Sequence, residues 1–458
     1  LGLGIDYSLL IVNRFREELH AGRSVDESIK RTVNTAGKTV FYSGLTIVIT
    51  LAALTLFPQM FLKSFGYAGV TVVIMAVLGA LVALPALLAI LGNRVDKGVV
   101  RKSAITPKED GRWAQTARFV MRRPVAVVVL SMIILTVFAA PIKNIVFSQV
   151  DSRVLPANNS AAAASRLITE RFPGQEGNPI EIIVPKGALM GTQINQYTTE
   201  IAKVPGIVRI GDSQVSGDDV RVTAIHSMSP RTPAAEELIK EVRKIRAPEG
   251  TLIGGVAADY ADTQIGIAKT MPWALLWIAL GVLVLLFAFT GSIILPIKAI
   301  ILNILSLGAT LGVITWIFVD GHLKWLVGDF TTTGTVDTGS IILVAVVAFG
   351  LSMDYEVFLL SRIKEEHDAG KSNIESVATG LQRSARIITA AAGLLAIVFA
   401  SFMLSGVTSI KMLGFGVAFA IVLDATLVRA LLVPALMRLF GERNWWAPKA
   451  MKRFTINH

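Results

Sequence analysis

Two Asp-Tyr pairs stand 348 positions apart in this chain, Asp6-Tyr7 and Asp354-Tyr355. Asp354 lies inside an otherwise apolar run from Ile341 to Leu360. An aspartate at the bilayer centre costs about 2.5–3.5 kcal/mol on insertion scales, so it must face the bundle interior and have a partner. Desolvation disfavours its charged form. A carboxyl that can hold or release a proton mid-membrane, beside a phenol that can relay it, is a proton-coupling device. Hydrogen bonds that merely hold two helices together explain a single pair as well. Repetition of the pair favours the chemistry. The expected geometry is two adjacent helices with Asp6 toward Tyr355 and Asp354 toward Tyr7. Small residues precede each Asp, Gly2 and Gly4 in one case and Gly350 and Ser352 in the other. Such residues let membrane helices approach closely.

Four more residues belong to this reading. Glu356 adds a third acid, and its counterpart is Ser8, so the copies are unequal. Ser43, in the next span, is placed to hydrogen-bond the pairs, although back-bonding to its own helix is the commoner use. Asp424 and Arg429 sit in the last span, where the counterpart of Asp424 is Met75. They read as a structural ion pair.

The elements that position these residues are membrane spans. The chain has 458 residues, of which 53% are hydrophobic and 17% charged. A soluble protein carries about a quarter of its residues as charges, so a soluble enzyme, a disordered tail and a fibrous protein are all excluded. Apolar runs long enough to cross a core of roughly 30 Å lie near 40–57, 66–92, 124–141, 271–290, 293–319, 339–360, 386–404 and 412–437. Leu1 to Val12 makes about half a span, and the expectation is a helix that starts upstream of Leu1.

Residues 1–95 and 349–443 are two copies of one three-helix unit. The motif Leu1-Gly2-Leu3-Gly4-Ile5-Asp6-Tyr7 matches Phe349-Gly350-Leu351-Ser352-Met353-Asp354-Tyr355. Arg14, Glu17, Glu18 and Gly22 then fall on Arg362, Glu365, Glu366 and Gly370. Lys63 and Gly66 fall on Lys411 and Gly414. After one inserted residue, Pro85, Gly92 and Arg94 fall on Pro434, Gly441 and Arg443. Parallel repeats about an axis along the membrane normal are a transporter architecture with sites at the repeat interface. By symmetry, an upstream half is expected, from the same gene or a separate chain, and a homo-oligomer is the other way to complete the assembly.

The net charge of +11 is unevenly placed. Segment 143–269 holds 14 Lys/Arg and 14 Asp/Glu, whereas 94–123 holds 9 against 3. Excess Lys/Arg beside spans marks the cytoplasmic side. The charge anchors spans and does not call for nucleic acid. The loops 13–38, 93–123, 361–386 and 438–453 alternate correctly if all are cytoplasmic, which puts 142–270 on the other side. That polar segment reads as helix 161–172, strand 179–184, helix 192–204, strands 206–210 and 219–225, helix 233–245 and strand 251–255. After its first helix this is a βαββαβ order, the split-βαβ arrangement. The resulting division is a partial span plus two spans at 1–95, a basic linker at 96–123, a span at 124–141, the α+β domain at 142–270, five spans at 271–437 and a cytoplasmic tail at 438–458.

The sequences Gly4-Ile5-Asp6-Tyr7-Ser8 with Arg14-Phe15-Arg16-Glu17-Glu18, and Gly350-Leu351-Ser352-Met353-Asp354-Tyr355-Glu356 with Ser361-Arg362-Ile363-Lys364-Glu365-Glu366, resemble the mycobacterial membrane protein large (MmpL) family of the resistance–nodulation–division (RND) superfamily. Asp424-Ala-Thr-Leu-Val-Arg429 and Val433-Pro-Ala-Leu-Met437 resemble its last span. The resemblance covers the whole chain, from the family's fourth span of twelve onward. It implies a polytopic α-helical membrane protein with an RND-type bundle and an extracytoplasmic porter domain. It also implies an inner-membrane exporter of lipids or other hydrophobic envelope molecules, driven by protons. Asp6, Tyr7, Asp354 and Tyr355 match the family's proton-relay residues, with Ser43 and Glu356 close to them. The competing reading is a lipid-binding or scaffold half-transporter without turnover. An enzyme has little support: there is no P-loop, no GxSxG elbow, no Cys, and the five His lack any metal spacing such as HExxH. No cofactor or metal is expected.

Overall fold

A computed structural model describes residues 2–97, 111–156, 158–172 and 174–448. Leu1, much of the basic linker 96–123 and the end of the tail 438–458 lie outside the described residues. The chain opens with three helices, α1 (Gly2–His20), α2 (Val25–Leu56) and α3 (Met60–Asp96). A short amphipathic α4 (Arg112–Arg122) leads into α5 (Pro124–Asn144). Then come β1 (Phe147–Ser148), α6 (Ser160–Arg171), β2 (Ile180–Val184), α7 (Gly191–Ala202), β3 (Ile207–Ile210), β4 (Gln214–Ser216), β5 (Asp219–His226), α8 (Pro233–Lys244) and β6 (Leu252–Gly254). The chain returns through α9 (Val256–Thr290), α10 (Ile294–Val319), β7 (Val336–Asp337), α11 (Thr338–Asp368), α12 (Asn373–Leu404) and α13 (Thr408–Trp445). Eight of these helices, α2, α3, α5 and α9–α13, are long and apolar enough to cross a membrane.

The internal repeat is visible in the helix ends. α1 and α11 stop at matching positions, and α2 and α3 begin and stop where α12 and α13 do. Gly22 and Gly370 both take positive φ, 83° and 88°, after α1 and α11. Ser24 then caps α2 by accepting from the Glu27 amide, and Ser372 caps α12 by accepting from the Glu375 amide. Each is a Ser-x-x-Glu entry signal that satisfies an orphan amide of the first turn. The inserted residue of the second copy falls between Gly414 and Pro434. That interval holds a π-wound stretch, Asp424–Leu432, against the shorter Gly79–Ala83 of the first copy. Wider winding is how a helix absorbs an extra residue without breaking.

The polar module is a four-strand-wide antiparallel sheet in the order β3-β5-β2-β6. β5 lies between β2 and β3, antiparallel to both, which is the split βαβ crossover. One strand was not legible in the sequence: β4 pairs with the start of β5 on the same edge as β3, which gives a fifth strand. It is a three-residue strand without apolar alternation. The buried face comprises Ile180, Ile182 and Val184 with Val220, Val222 and Ala224, covered by Ile194, Tyr197 and Ile201 of α7 and Leu238, Ile239 and Val242 of α8. On the opposite face Arg221 makes a two-pronged pair with Glu181 at 2.7 and 2.8 Å.

The apolar run 271–290 is only the membrane part of α9, which starts at Val256 and is one 35-residue helix. Its first turns, Ala257, Ala258 and Ala261, belong to the domain core. Its later turns, Ile278, Val282 and Leu286, belong to the bundle core. Gly255 makes the entry with φ 94°, against the Pro179 carbonyl, so no side chain fits there. A short parallel ladder, Phe147 with Val336 and Ser148 with Asp337, ties the start of the domain to the start of α11.

Candidate functional site

α11 is the most buried of the spanning helices, and it packs along α2 and α12 with Val344, Phe349, Met353 and Val357 in the main core. α1 presents Leu10, Ile11 and Phe15 to Val40, Ala80 and Leu88. This arrangement points the two Asp-Tyr pairs at each other. Tyr355 donates its hydroxyl to Asp6 Oδ2 at 2.7 Å, and Tyr7 donates to Asp354 Oδ1 at 3.5 Å. All four side chains are buried. The bonds cross between the repeats, so each carboxyl is held by the other repeat's phenol. Asp6 Oδ1 has no partner. Beside the four lies a cavity of about 20 Å³ closed by Phe358, Ile387, Ile388 and Ala391, large enough for a single water.

The small residues before each Asp do not serve the contact expected of them. Gly350 faces Ile47 and Thr50 of α2, Gly2 faces Leu395 of α12, and Gly4 meets nothing within 4 Å. Gly44 of α2 is the glycine close to the site: a Cβ there would lie 3.7 Å from the Tyr7 hydroxyl. Ser43 is buried beside the same phenol.

Asp424 and Arg429 pair directly, both buried, within the π-wound stretch of α13. Arg429 also donates to the Ser352 carbonyl at 2.7 Å, and its guanidinium carbon lies 4.9 Å from the Tyr355 ring centre. The pair therefore also contacts the helix that carries Asp354 and Tyr355. Glu356 is buried, with Oε1 unpartnered. Its neighbouring cations are Arg429 and Lys298. Sequence reasoning missed Lys298. It is a buried cation on α10 that donates to Asn444 Oδ1 at 3.3 Å and contacts Met437 Sδ. The signal was a lone lysine in the apolar run 293–319. The second repeat thus gathers charges whose counterparts in the first are Ser8 and Met75.

Two turns beyond the Asp-Tyr cluster, the charged ends of α1 and α11 also cross. Arg14 approaches Glu365 at 3.6 Å and Arg362 approaches Glu17 at 4.0 Å. A cavity of about 290 Å³ lies there, lined by Asn34, Thr39, Ser361, Arg362 and Asp368 among others. Phe358 lines both this cavity and the small one beside the Asp-Tyr cluster.

Eight apolar spanning helices, a two-fold internal repeat and a buried carboxyl–phenol cluster between the copies define a multi-pass protein of the cell membrane. The chain belongs to the MMPL family, whose model matches residues 1–127 and 153–456. It is 40% identical over 455 residues to a membrane protein of Streptomyces coelicolor, covering 99% of this chain and 63% of that one. It is 35% identical to the trehalose monomycolate exporter of Mycobacterium tuberculosis, covering 99% of this chain and 52% of the relative. It is 33% identical to the mycolic acid-containing lipids exporter of Mycolicibacterium smegmatis, covering 98% and 49%. The chain spans about half the length of those two exporters. Among solved structures, SecDF from Thermus thermophilus, a translocon-associated membrane protein, superposes with a TM-score of 0.55 at 15% identity, over 95% of this chain and 53% of SecDF. That likeness shows the RND-type bundle fold.

Proposed function

We propose that this chain works in a proton-motive-force-driven exporter that moves lipids or other hydrophobic envelope molecules across the inner membrane. The crossed Asp-Tyr bonds carry this reading. Asp6 and Asp354 take up and release protons, and Tyr7 and Tyr355 pass them between the repeats. A change in protonation of either acid changes the bond that joins α1 to α11, so proton movement is tied to helix movement. A proton falling through 100 mV supplies about 2.3 kcal/mol, enough to bias such a cycle. Ser43 and Glu356 act beside the relay, and segment 142–270 faces away from the cytoplasm. The cargo class follows from the lipid exporters among the relatives, and a transporter rather than an enzyme fits the site.

The test is Asp354→Asn, which keeps size but cannot ionise. In vesicles with an imposed proton gradient, lipid export should stop while insertion and yield stay unchanged. Normal export by this variant would sink the reading. Lipid binding that ignores both the gradient and the substitution would favour a non-transporting lipid-binding or scaffold subunit.

A further inference from the structure

We propose that the outer face of α4 is a docking surface for the headgroups of anionic phospholipids in the adjacent leaflet. α4 has two faces with different fates. Ala114, Ala117, Val120 and Met121 are buried, and the Ala114 amide donates to Gln382 Oε1 of α12 at 3.1 Å. Arg118 pairs with Glu375 at 3.2 Å. These contacts fix the helix against the bundle. The other face carries Arg112, Phe119 and Arg122 at a helical spacing, and Arg123 follows at the bend into α5. Phe119 is 67% exposed. Arg112, Arg122 and Arg123 have no carboxylate partner among the described residues.

The position of this face decides its occupant. It continues directly into the outward side of α5, where Val125, Val129, Leu130, Ile133 and Val137 are all exposed apolar residues. A surface of that kind on a spanning helix meets acyl chains. The guanidiniums at its end therefore lie at headgroup depth, with Phe119 placed to enter the acyl boundary between them. Guanidinium forks match phosphate oxygens in paired hydrogen bonds. Three such groups without internal counter-charges favour a lipid that brings net negative charge over a zwitterionic one. Each basic residue near an anionic surface contributes about 1 kcal/mol, which is roughly fivefold in binding.

The experiment uses the full chain in phosphatidylcholine vesicles with spin-labelled phosphatidylglycerol or spin-labelled phosphatidylcholine as the probe. The immobilised fraction of each probe gives the selectivity. The unaltered chain should prefer phosphatidylglycerol, and added salt should weaken that preference. Arg122→Gln with Arg123→Gln should lower it by up to about 25-fold, roughly fivefold for each charge removed. Arg122→Lys with Arg123→Lys should retain most of it. Lys143→Gln, at the opposite end of α5, should leave it unchanged. Equal selectivity in the double glutamine variant would overturn the proposal, as would an equal loss from Lys143→Gln. If the glutamine variant does not fold, the salt series on the unaltered chain decides: salt-independent or absent selectivity overturns the proposal and leaves an acidic protein segment as the occupant to seek.

Discussion

Tyr355 holds Asp6 by a 2.7 Å hydrogen bond between two helices of different repeats, while its counterpart Tyr7 reaches Asp354 only at 3.5 Å. The two bonds are equivalent by symmetry and unequal in strength. Arg429 lies over the Tyr355 ring, and nothing charged occupies the matching place, Ala80, in the first copy.

Tyr355→Phe should therefore cost more than Tyr7→Phe. It leaves Asp6 with neither oxygen partnered, since Oδ1 already has none. A buried polar group left unpaired costs about 1–3 kcal/mol. The Tyr7 bond lies at the outer limit of useful length. The melting midpoint of the purified protein should fall further for Tyr355→Phe. The opposite order would mean that the two bonds are not ranked by their lengths.

Gly312 and Gly308 offer a paired test of bundle packing. A Cβ at Gly312 would overlap the Phe138 carbonyl oxygen and crowd Ala139 of α5, whereas one at Gly308 meets nothing within 4 Å. Gly312→Ala should destabilise by roughly 1–3 kcal/mol. Gly308→Ala should be neutral or stabilise by up to about 1 kcal/mol, since alanine favours helix. Thermal unfolding in detergent compares the two, and equal effects would show that α5 and α10 do not approach this closely.

His226 gives the polar module a pH dependence. It is buried at the end of β5, with Nε2 3.0 Å from the Asn178 carbonyl. Burial pushes its pKa below the ordinary 6.5, against backbone contacts at Asn178 and Met228 that pull it up. The folded pKa thus lies below the unfolded one. Stability is full above about pH 6.5 and falls as the pH drops through the lower folded value. Melting midpoints should decline across that window for the unaltered chain and decline less for His226→Gln, which cannot titrate. Parallel curves would assign the acid sensitivity to another group.

Sidedness is tested by single cysteines, since the chain has 0 Cys of its own. Ser160→Cys at the start of α6 should react with a membrane-impermeant thiol reagent on intact cells. Ala21→Cys, exposed after α1, should react only after permeabilisation. Reversed labelling would invert the topology.

Much of this was legible in the chain because membranes impose coarse rules. Apolar length locates spans, and the repeat locates its own copies, so the facing of Asp6 and Asp354 could be read from Gly22, Gly370 and the Asp-Tyr motif. The βαββαβ module was legible because Val220, Val222 and Ala224 alternate with Arg221 and Thr223. Helix ends were less legible. α2 starts 15 residues and α12 13 residues before its apolar run, because Ser24 and Ser372 cap amphipathic turns that no hydropathy reading includes. Lys298 and the stacking of Arg429 were hidden for a different reason. Which side chains meet inside a bundle depends on helix rotation, and the π-wound turns of α13 change that rotation in a way the residue types do not announce.

The continuity of α9 has a mechanical consequence. At 1.5 Å per residue its 35 residues form a bar about 52 Å long. One end is fastened in the sheet domain by alanines and the other in the bundle by Ile278, Val282 and Leu286. Trp277 and Gly281, midway along it, touch α2 at Ile49, one and a half turns from Ser43 beside the Asp-Tyr cluster. A tilt of roughly 5° about one end displaces the other by about 4–5 Å over that length. The helix is a lever with its fulcrum beside the Asp-Tyr cluster, and Pro272 is the place where it can flex. The sheet domain and the helices around the Asp-Tyr cluster are thereby joined through a single piece of backbone.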